Sequence, residues 1–214
     1  MNDQKQSRTQ RTREAIFSAG FELMLGRSIE AIPIDELIAV AGVGKGSFFN
    51  HFGDKEGFKA AVALQVRSEI ESQVGLANEG EEDPLARLTG GMREVTRYAC
   101  LNPKRAVAVL RMTVGATEKD YPLNEGLKTD INACVEAGLL RSEARESGVL
   151  FWLGLCTLLM TTVVENSLTE RAAAEKLRDI MVMGLSGLGV DSARAEILAA
   201  DSAERLTKDS ELLS

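Results

Sequence analysis

Between Lys45 and Phe52 the chain reads Lys-Gly-Ser-Phe-Phe-Asn-His-Phe, a run of small, aromatic and hydrogen-bonding residues with no carboxylate. On a helix, a step of 100° per residue puts Phe48 and Phe52 on one face and Gly46, Ser47 and Asn50 on the opposite one, flanked by Phe49 and His51. Small and hydrogen-bonding groups let a helix come close to base edges and phosphates, where an acidic side chain would be repelled. Lys55 stands at the start of the next expected helix, where a cation and free backbone N–H groups can hold a phosphate together. His51 is the only histidine, so a single chain cannot assemble a histidine-based metal cluster or catalytic triad, and no cofactor is called for. Cys100, Cys134 and Cys156 are odd in number, far apart and without CxxC spacing, which points to neither a disulfide framework nor a zinc site. Each is expected to be a small buried hydrophobe, since no basic neighbour in sequence lowers a thiol pKa for sensing electrophiles or oxidants.

A helical scaffold has to position these residues, and with only 4 prolines and many Ala, Leu, Glu and Arg the chain favours one. Over residues 9–25, Ile16, Phe17, Gly20, Phe21, Leu23 and Met24 recur at three- and four-residue spacing, with Gly26 as a stop. A second, two-turn helix begins at Pro33, whose fixed φ suits a first turn; it shows Ile34, Leu37, Ile38 and Ala41 on one side and ends at Gly42. Val43 and Gly44 turn the chain, 45–52 forms a third helix closed by Gly53, and Asp54 caps a fourth over 54–74. Two helices joined by a short glycine-containing turn form a helix-turn-helix, here about 32–51, whose second helix can enter a major groove. The acidic, glycine-bearing stretch 77–84 is expected to be a mobile connection. Further helices are expected over 84–101, 103–117, 122–137, 143–166, 170–185 and 192–206, and no strand-like alternation or internal repeat competes.

A net charge of -7 and a pI near 5.0 argue, taken alone, against nucleic acid as a partner. Distribution changes that inference. Residues 1–59 hold eight basic and eight acidic groups, so the whole excess of acid lies further along the chain. The first thirteen residues carry four cations (Lys5, Arg8, Arg11, Arg13) against one acid, a positive arm on an acidic molecule.

The segment from Ala41 to Phe58, AGVGKGSFFNHFGDKEGF, resembles the recognition-helix signature of the tetracycline-repressor (TetR) family. The first helix ending near Gly26 and the helix beginning at Pro33 also fall where that family has them, so the resemblance covers about residues 9–74. It implies an all-α regulator: an arm and three-helix DNA-binding domain (1–53), a connecting helix (54–74), and a helical effector-binding and dimerisation domain (75–214). Carried onto this sequence, it makes Lys45, Gly46 and Ser47 the groove-entering end of the recognition helix, with Phe49, Asn50, His51 and Lys55 completing the DNA surface. Phe49 stands where the family usually has a tyrosine, Gly44 where it has a serine cap and Pro33 where it often has a threonine, so three polar anchors are missing. The implied partners are double-stranded operator DNA, an unknown apolar or amphipathic small molecule, and a second copy of the chain. Repression is the implied activity in most cases.

Beyond residue 74 the signals are those of packing. The uncharged run 149–164 distributes Leu150, Phe151, Trp152, Leu153, Leu155, Leu158, Leu159, Met160 and Val163 around the whole helix, so every side needs cover. The run is shorter than the roughly 20 apolar residues of a membrane span, and the polar N-terminus has no apolar core of a secretory signal, so a cytoplasmic protein without a membrane partner is expected. Ala173, Leu177, Ile180, Gly184 and Leu188 form a stripe of nearly heptad spacing, which with the apolar run is expected to make a dimer seam. Met92, Tyr98, Met112, Trp152, Cys156 and Met160 are candidate pocket residues, because thioethers and aromatic faces line apolar cavities between helices. Two other classes stay open: a helical architectural protein that coats DNA without an effector, and an all-helical enzyme using a buried acid such as Glu165.

Overall fold

The computed structural model describes residues 2–111 and 121–211. Among them the regular structure is helical: α1 (Asn2–Met24), α2 (Ile34–Ala41), α3 (Lys45–Phe52), α4 (Lys55–Ala77), α5 (Pro84–Leu101), α6 (Pro103–Leu110), α7 (Glu125–Glu136), α8 (Ala144–Glu165), α9 (Glu170–Gly187) and α10 (Ser192–Glu211), with 3-10 turns at Ile29–Ala31 and Pro122–Asn124. By contact the chain divides into two compact units, Met1–Arg67 with Lys104–Val114, and Ser68–Pro103 with Gly115–Ser214. The division falls inside α4, and α6 belongs to the first unit although it follows α5 in sequence.

The first unit is built on aromatic rings. Phe17 and Phe21 of α1, Phe48 and Phe52 of α3 and Phe58 of α4 are all buried, with neighbouring ring centroids 5.0–6.3 Å apart. Offset and edge-on pairs at this spacing contribute beyond their buried area. α6 is fastened to α1 at its end. The Arg111 guanidinium donates to the carbonyls of Met24 (2.6 Å), Leu25 (3.3 Å) and Arg27 (2.7 Å), groups that a helix terminus leaves without internal partners. Lys104 pairs with Glu22, and the Arg105 guanidinium lies 4.9 Å from the centre of the Phe21 ring.

In the second unit α9 packs on α10, and α5 is flanked by α7, α8, α9 and α10. The connection after α4 is fastened, contrary to the mobile link expected over 77–84. Buried Asn78 donates its amide to the Arg87 carbonyl (3.0 Å), and Asp83 caps α5 through the Leu85 N–H (2.9 Å) and pairs with Arg194 (3.0 Å). The polar residues that mark a loop in sequence serve here as caps and ties.

The stripe expected at a dimer seam faces inward. Ala173, Leu177, Gly184 and Leu188 are buried within their own chain and Ile180 is half-buried. At Gly184 a Cβ would stand 2.6 Å from Leu155 Cδ1 and 3.2 Å from Trp152 Cζ3, so the small residue serves the α8–α9 contact. Heptad spacing identifies a helix face that packs without saying whose residues it packs against. The apolar and glycine positions that α8 and α9 leave outside are a different set: Leu150, Phe151, Gly154 and Leu158 on α8, and Met183 and Gly187 on α9, beside charged residues such as Arg178 and Asp179. The helix α8 also runs to 22 residues, past the uncharged run, and is long and apolar enough to cross a membrane by length and composition. Its added first turn carries Arg145 and Glu146, the uncharged run within it is as short as expected, and a core helix meets the same length and composition. Glu165, considered as a buried acid, is exposed at the end of α8.

Candidate nucleic-acid interface

The turn between α2 and α3 is held by backbone chemistry. Gly42 takes a left-handed conformation (φ 65°) and its N–H bonds back to the last turn of α2, as does that of Val43 to the Ile38 carbonyl (3.1 Å). An L side chain at Gly42 would pay a steric cost for that φ. α3 then starts at Gly44 without a side-chain cap, in agreement with the missing serine. After Gly53 (φ 74°) the Asp54 carboxylate accepts from the Gly57 N–H at 2.7 Å, the N-cap expected for α4.

With Phe48 and Phe52 in the core, the opposite face of α3 is turned outward. Lys45, Gly46, Phe49 and Asn50 are exposed, while Ser47 and His51 are half-exposed. Phe49 keeps 41% of its surface open while its ring meets Phe48 edge-on at 5.6 Å. Lys55, the first residue of α4, donates through Nζ to the Glu30 carbonyl at 2.7 Å, which uses one of its three protons. All seven sequence-predicted DNA residues thus lie on α3 or at the start of α4.

Three acids beside them were not legible as part of the site. Asp35 at the start of α2 accepts from Lys45 Nζ at 2.9 Å; Glu36 pairs with Arg27; Glu30, in the 3-10 turn, pairs with Lys59 at 2.8 Å. Hydrogen bonding from Arg27 holds the Glu36 carboxyl below its ordinary value, and Lys59 does the same to Glu30. All three pairs join residues at least nine positions apart, so helix-neighbour spacing in the sequence gives no sign of them.

A cavity of about 240 Å³ lies in the second unit, among the last turns of α4, α5, α7 and α8. Trp152 and Cys156 line it, together with Leu88, Val95 and Leu153. Its polar wall is the pair of Arg87 Nε and Asp130 Oδ1, 2.7 Å apart, with Asn78 and Glu71 beside it. The other pocket candidates fall elsewhere. Met92 and Met160 are buried core; Tyr98 is buried with its hydroxyl donating to Glu69 at 2.6 Å; Met112 lies outside the described residues. On α5 the lining residues Gly91 and Val95 share a face from which Met92 is turned by about a quarter of a turn. Burial pushes the Cys156 thiol up to about 12, helped by Glu71, so this cavity disfavours a thiolate.

An outward-facing second helix of a helix-turn-helix on an aromatic core, together with a helical unit that holds a cavity, is the arrangement of a helix-turn-helix DNA-binding fold. Residues 16–62 match the family model of the bacterial regulatory proteins, tetR family, so this segment is similar to the DNA-binding domain of that family. Solved structures agree over most of the chain. A gamma-butyrolactone receptor (ArpA-like protein) superposes with a TM-score of 0.63 at 20% identity, covering 92% of this chain and 99% of that one. CprB from Streptomyces coelicolor in complex with its operator gives 0.58 at 22%, covering 92% and 99%, and RolR in complex with resorcinol gives 0.56 at 18%, covering 91% and 95%. At such identities these likenesses establish the fold. A search of curated proteins finds no match.

Proposed function

We propose that this chain is a homodimeric repressor that binds a near-palindromic operator through α3 and is released by a small molecule held in the α4–α5–α7–α8 cavity. The observation that carries the DNA reading is the exposed face of α3, free of carboxylates, with Lys45, Gly46 and Asn50 outermost. Lys45, Lys55 and His51 would meet the sugar-phosphate backbone, Gly46 would allow close approach, and Ser47 and Asn50 would reach base edges. A dimer is supported by the apolar patch that the middle of α8 and the end of α9 leave outside, where Leu158 is 57% and Met183 73% exposed. Such an apolar patch is the kind a second copy covers. Action on chromosomal DNA implies a cytoplasmic location.

For the effector, the cavity offers an apolar wall with the Trp152 ring and, opposite it, the Arg87–Asp130 pair. A small, mostly apolar compound with one or two hydrogen-bonding groups suits that division. Gamma-butyrolactones and small phenols such as resorcinol, ligand classes attached to the similar folds, are suitable first probes. Because the last turns of α4 line the cavity and its first residue belongs to the DNA surface, one continuous helix is available to carry the coupling.

Selection of binding sites from random duplex DNA by the purified chain tests the function and defines the operator. A recovered near-palindrome is expected; indifference to sequence would favour the effector-free architectural alternative. Titration of probes against Trp152 fluorescence, with and without operator, then measures coupling. Reciprocity requires that operator weaken ligand binding by the factor by which ligand weakens operator binding, about 5- to 150-fold for typical couplings.

A further inference from the structure

Resting on the DNA-binding reading above, a second role emerges from the acids around the recognition helix. Residues 1–59 carry as many carboxylates as cations, and the structure shows how they are spent: Arg27 on Glu36, Lys59 on Glu30 and Glu56, and Lys45 on Asp35. The three cases differ in geometry. The Lys59 side chain is largely covered, and Glu36 and Arg27 tie α2 to the segment after α1. Lys45 and Asp35 instead join the first turns of the two helices of the motif, and both side chains are wide open to solvent, 59% and 74% exposed.

We propose that Asp35 is an affinity-setting residue: its carboxylate takes the place of a DNA phosphate on Lys45 in the free protein and has to be displaced when the operator binds. Lys45 has three protons to donate, and at 2.9 Å its ammonium is already committed to one anion. With the Asp35 charge beside it, Lys45 neutralises little of a phosphate's charge, so its contact releases less of the DNA's condensed counterion atmosphere and adds little to the salt-dependent part of binding. Since the contact concerns the backbone and not a base edge, Asp35 lowers affinity for operator and unrelated duplex alike and leaves their ratio unchanged. The arrangement keeps an acidic molecule from lingering on DNA of the wrong sequence, while base contacts still decide where it stays.

The test is equilibrium binding by fluorescence anisotropy, to the selected operator and to an unrelated duplex, between about 50 and 200 mM salt. Wild type is compared with Asp35→Asn, Asp35→Ser, Lys45→Met and the Asp35→Asn/Lys45→Met double variant, each checked by circular dichroism. Neutralising Asp35 is expected to tighten binding to both duplexes by about two- to fivefold, the range of an exposed ion pair. The log–log salt slope should steepen by about 0.9, one further phosphate contact. In the Lys45→Met background the gain should vanish. Folded Asp35→Asn and Asp35→Ser proteins that bind no tighter, a gain that persists without Lys45, or a gain confined to the operator would each overturn the assignment. Failure of the wild-type chain to select any DNA would instead overturn the DNA-binding reading beneath it, so the two failures are distinguishable.

Discussion

Gly46 separates the needs of folding from those of recognition. A Cβ built there meets no heavy atom within 4 Å, so the free protein does not require glycine at this position. Inside a helix, alanine is favoured over glycine by roughly 1 kcal/mol. Gly46→Ala is therefore expected to raise the melting temperature while weakening operator binding, because the added methyl stands on the face that has to approach the DNA closely. Thermal denaturation and a binding titration on one sample check both halves, and unchanged operator affinity would remove Gly46 from the contact surface. The cysteines yield a prediction with a pH sign. Burial pushes Cys134 and Cys156 up to about 12 and Cys100 up to about 11, from an ordinary 9.0. Above pH 9 the unfolded chain gives up thiol protons that the folded chain retains, so their contribution to stability is intact below pH 9 and is lost as pH rises through 11 and 12. Native alkylation by iodoacetamide near neutral pH should accordingly be slow at all three and fast only after denaturation. Rapid native labelling of Cys156, read by mass spectrometry, would contradict this and reopen oxidant sensing.

Among elements, the junction between α3 and α4 is the most sharply constrained. A Cβ on Gly57 would lie 2.0 Å from the Phe52 carbonyl oxygen, a backbone atom that cannot rotate away. Gly57→Ala is expected to cost about 1–3 kcal/mol through forced backbone shift and to loosen α3, with loss of operator binding. The contrast with Gly184 is informative, since the atom nearest to a Cβ there is a Leu155 methyl that can shift, and Gly184→Ala should be milder. Urea denaturation of both variants gives the comparison; equal losses would mean that the α3–α4 approach is not the tight point. These constraints were only partly visible beforehand. Helix positions were legible because apolar residues recur at three- and four-residue spacing and Gly42, Gly53 and Asp54 punctuate them. The 3-10 turn at Ile29–Ala31 was not, because three residues are too few for a periodicity to register, nor was the attachment of α6 to α1 through Arg111, which depends on carbonyls brought near by folding.

For the whole molecule, the inward stripe and the outward patch predict opposite outcomes for the same kind of substitution. Leu177 is fully buried in its own chain, so Leu177→Arg would bury an unpaired charge and is expected to unfold the second unit. Leu158→Arg places its charge on the exposed face of α8 and should leave a folded monomer. Circular dichroism and analytical ultracentrifugation distinguish the two: a Leu158→Arg protein that remains a dimer, with wild-type helicity, would place the seam elsewhere. Because two recognition helices have to meet successive half-sites, the folded monomer should also bind operator more weakly than the dimer.

Sequence alone determined the class of the fold, the helix-turn-helix and the residues of its outer face, because those properties follow from local periodicity, turn glycines and an absence of carboxylates within one short helix. It also carried the family resemblance, which resides in contiguous residues from Ala41 to Phe58. Tertiary structure decided which apolar face of α8 and α9 is spent internally, which of the candidate pocket residues share a cavity, and which acids sit on the cations of the DNA surface. Each of these depends on side chains far apart in the chain: Trp152 against Gly184, Arg87 against Asp130, Lys45 against Asp35. Periodicity identifies a face that seeks cover or a charge that seeks a partner, and only packing in three dimensions selects the group that answers it.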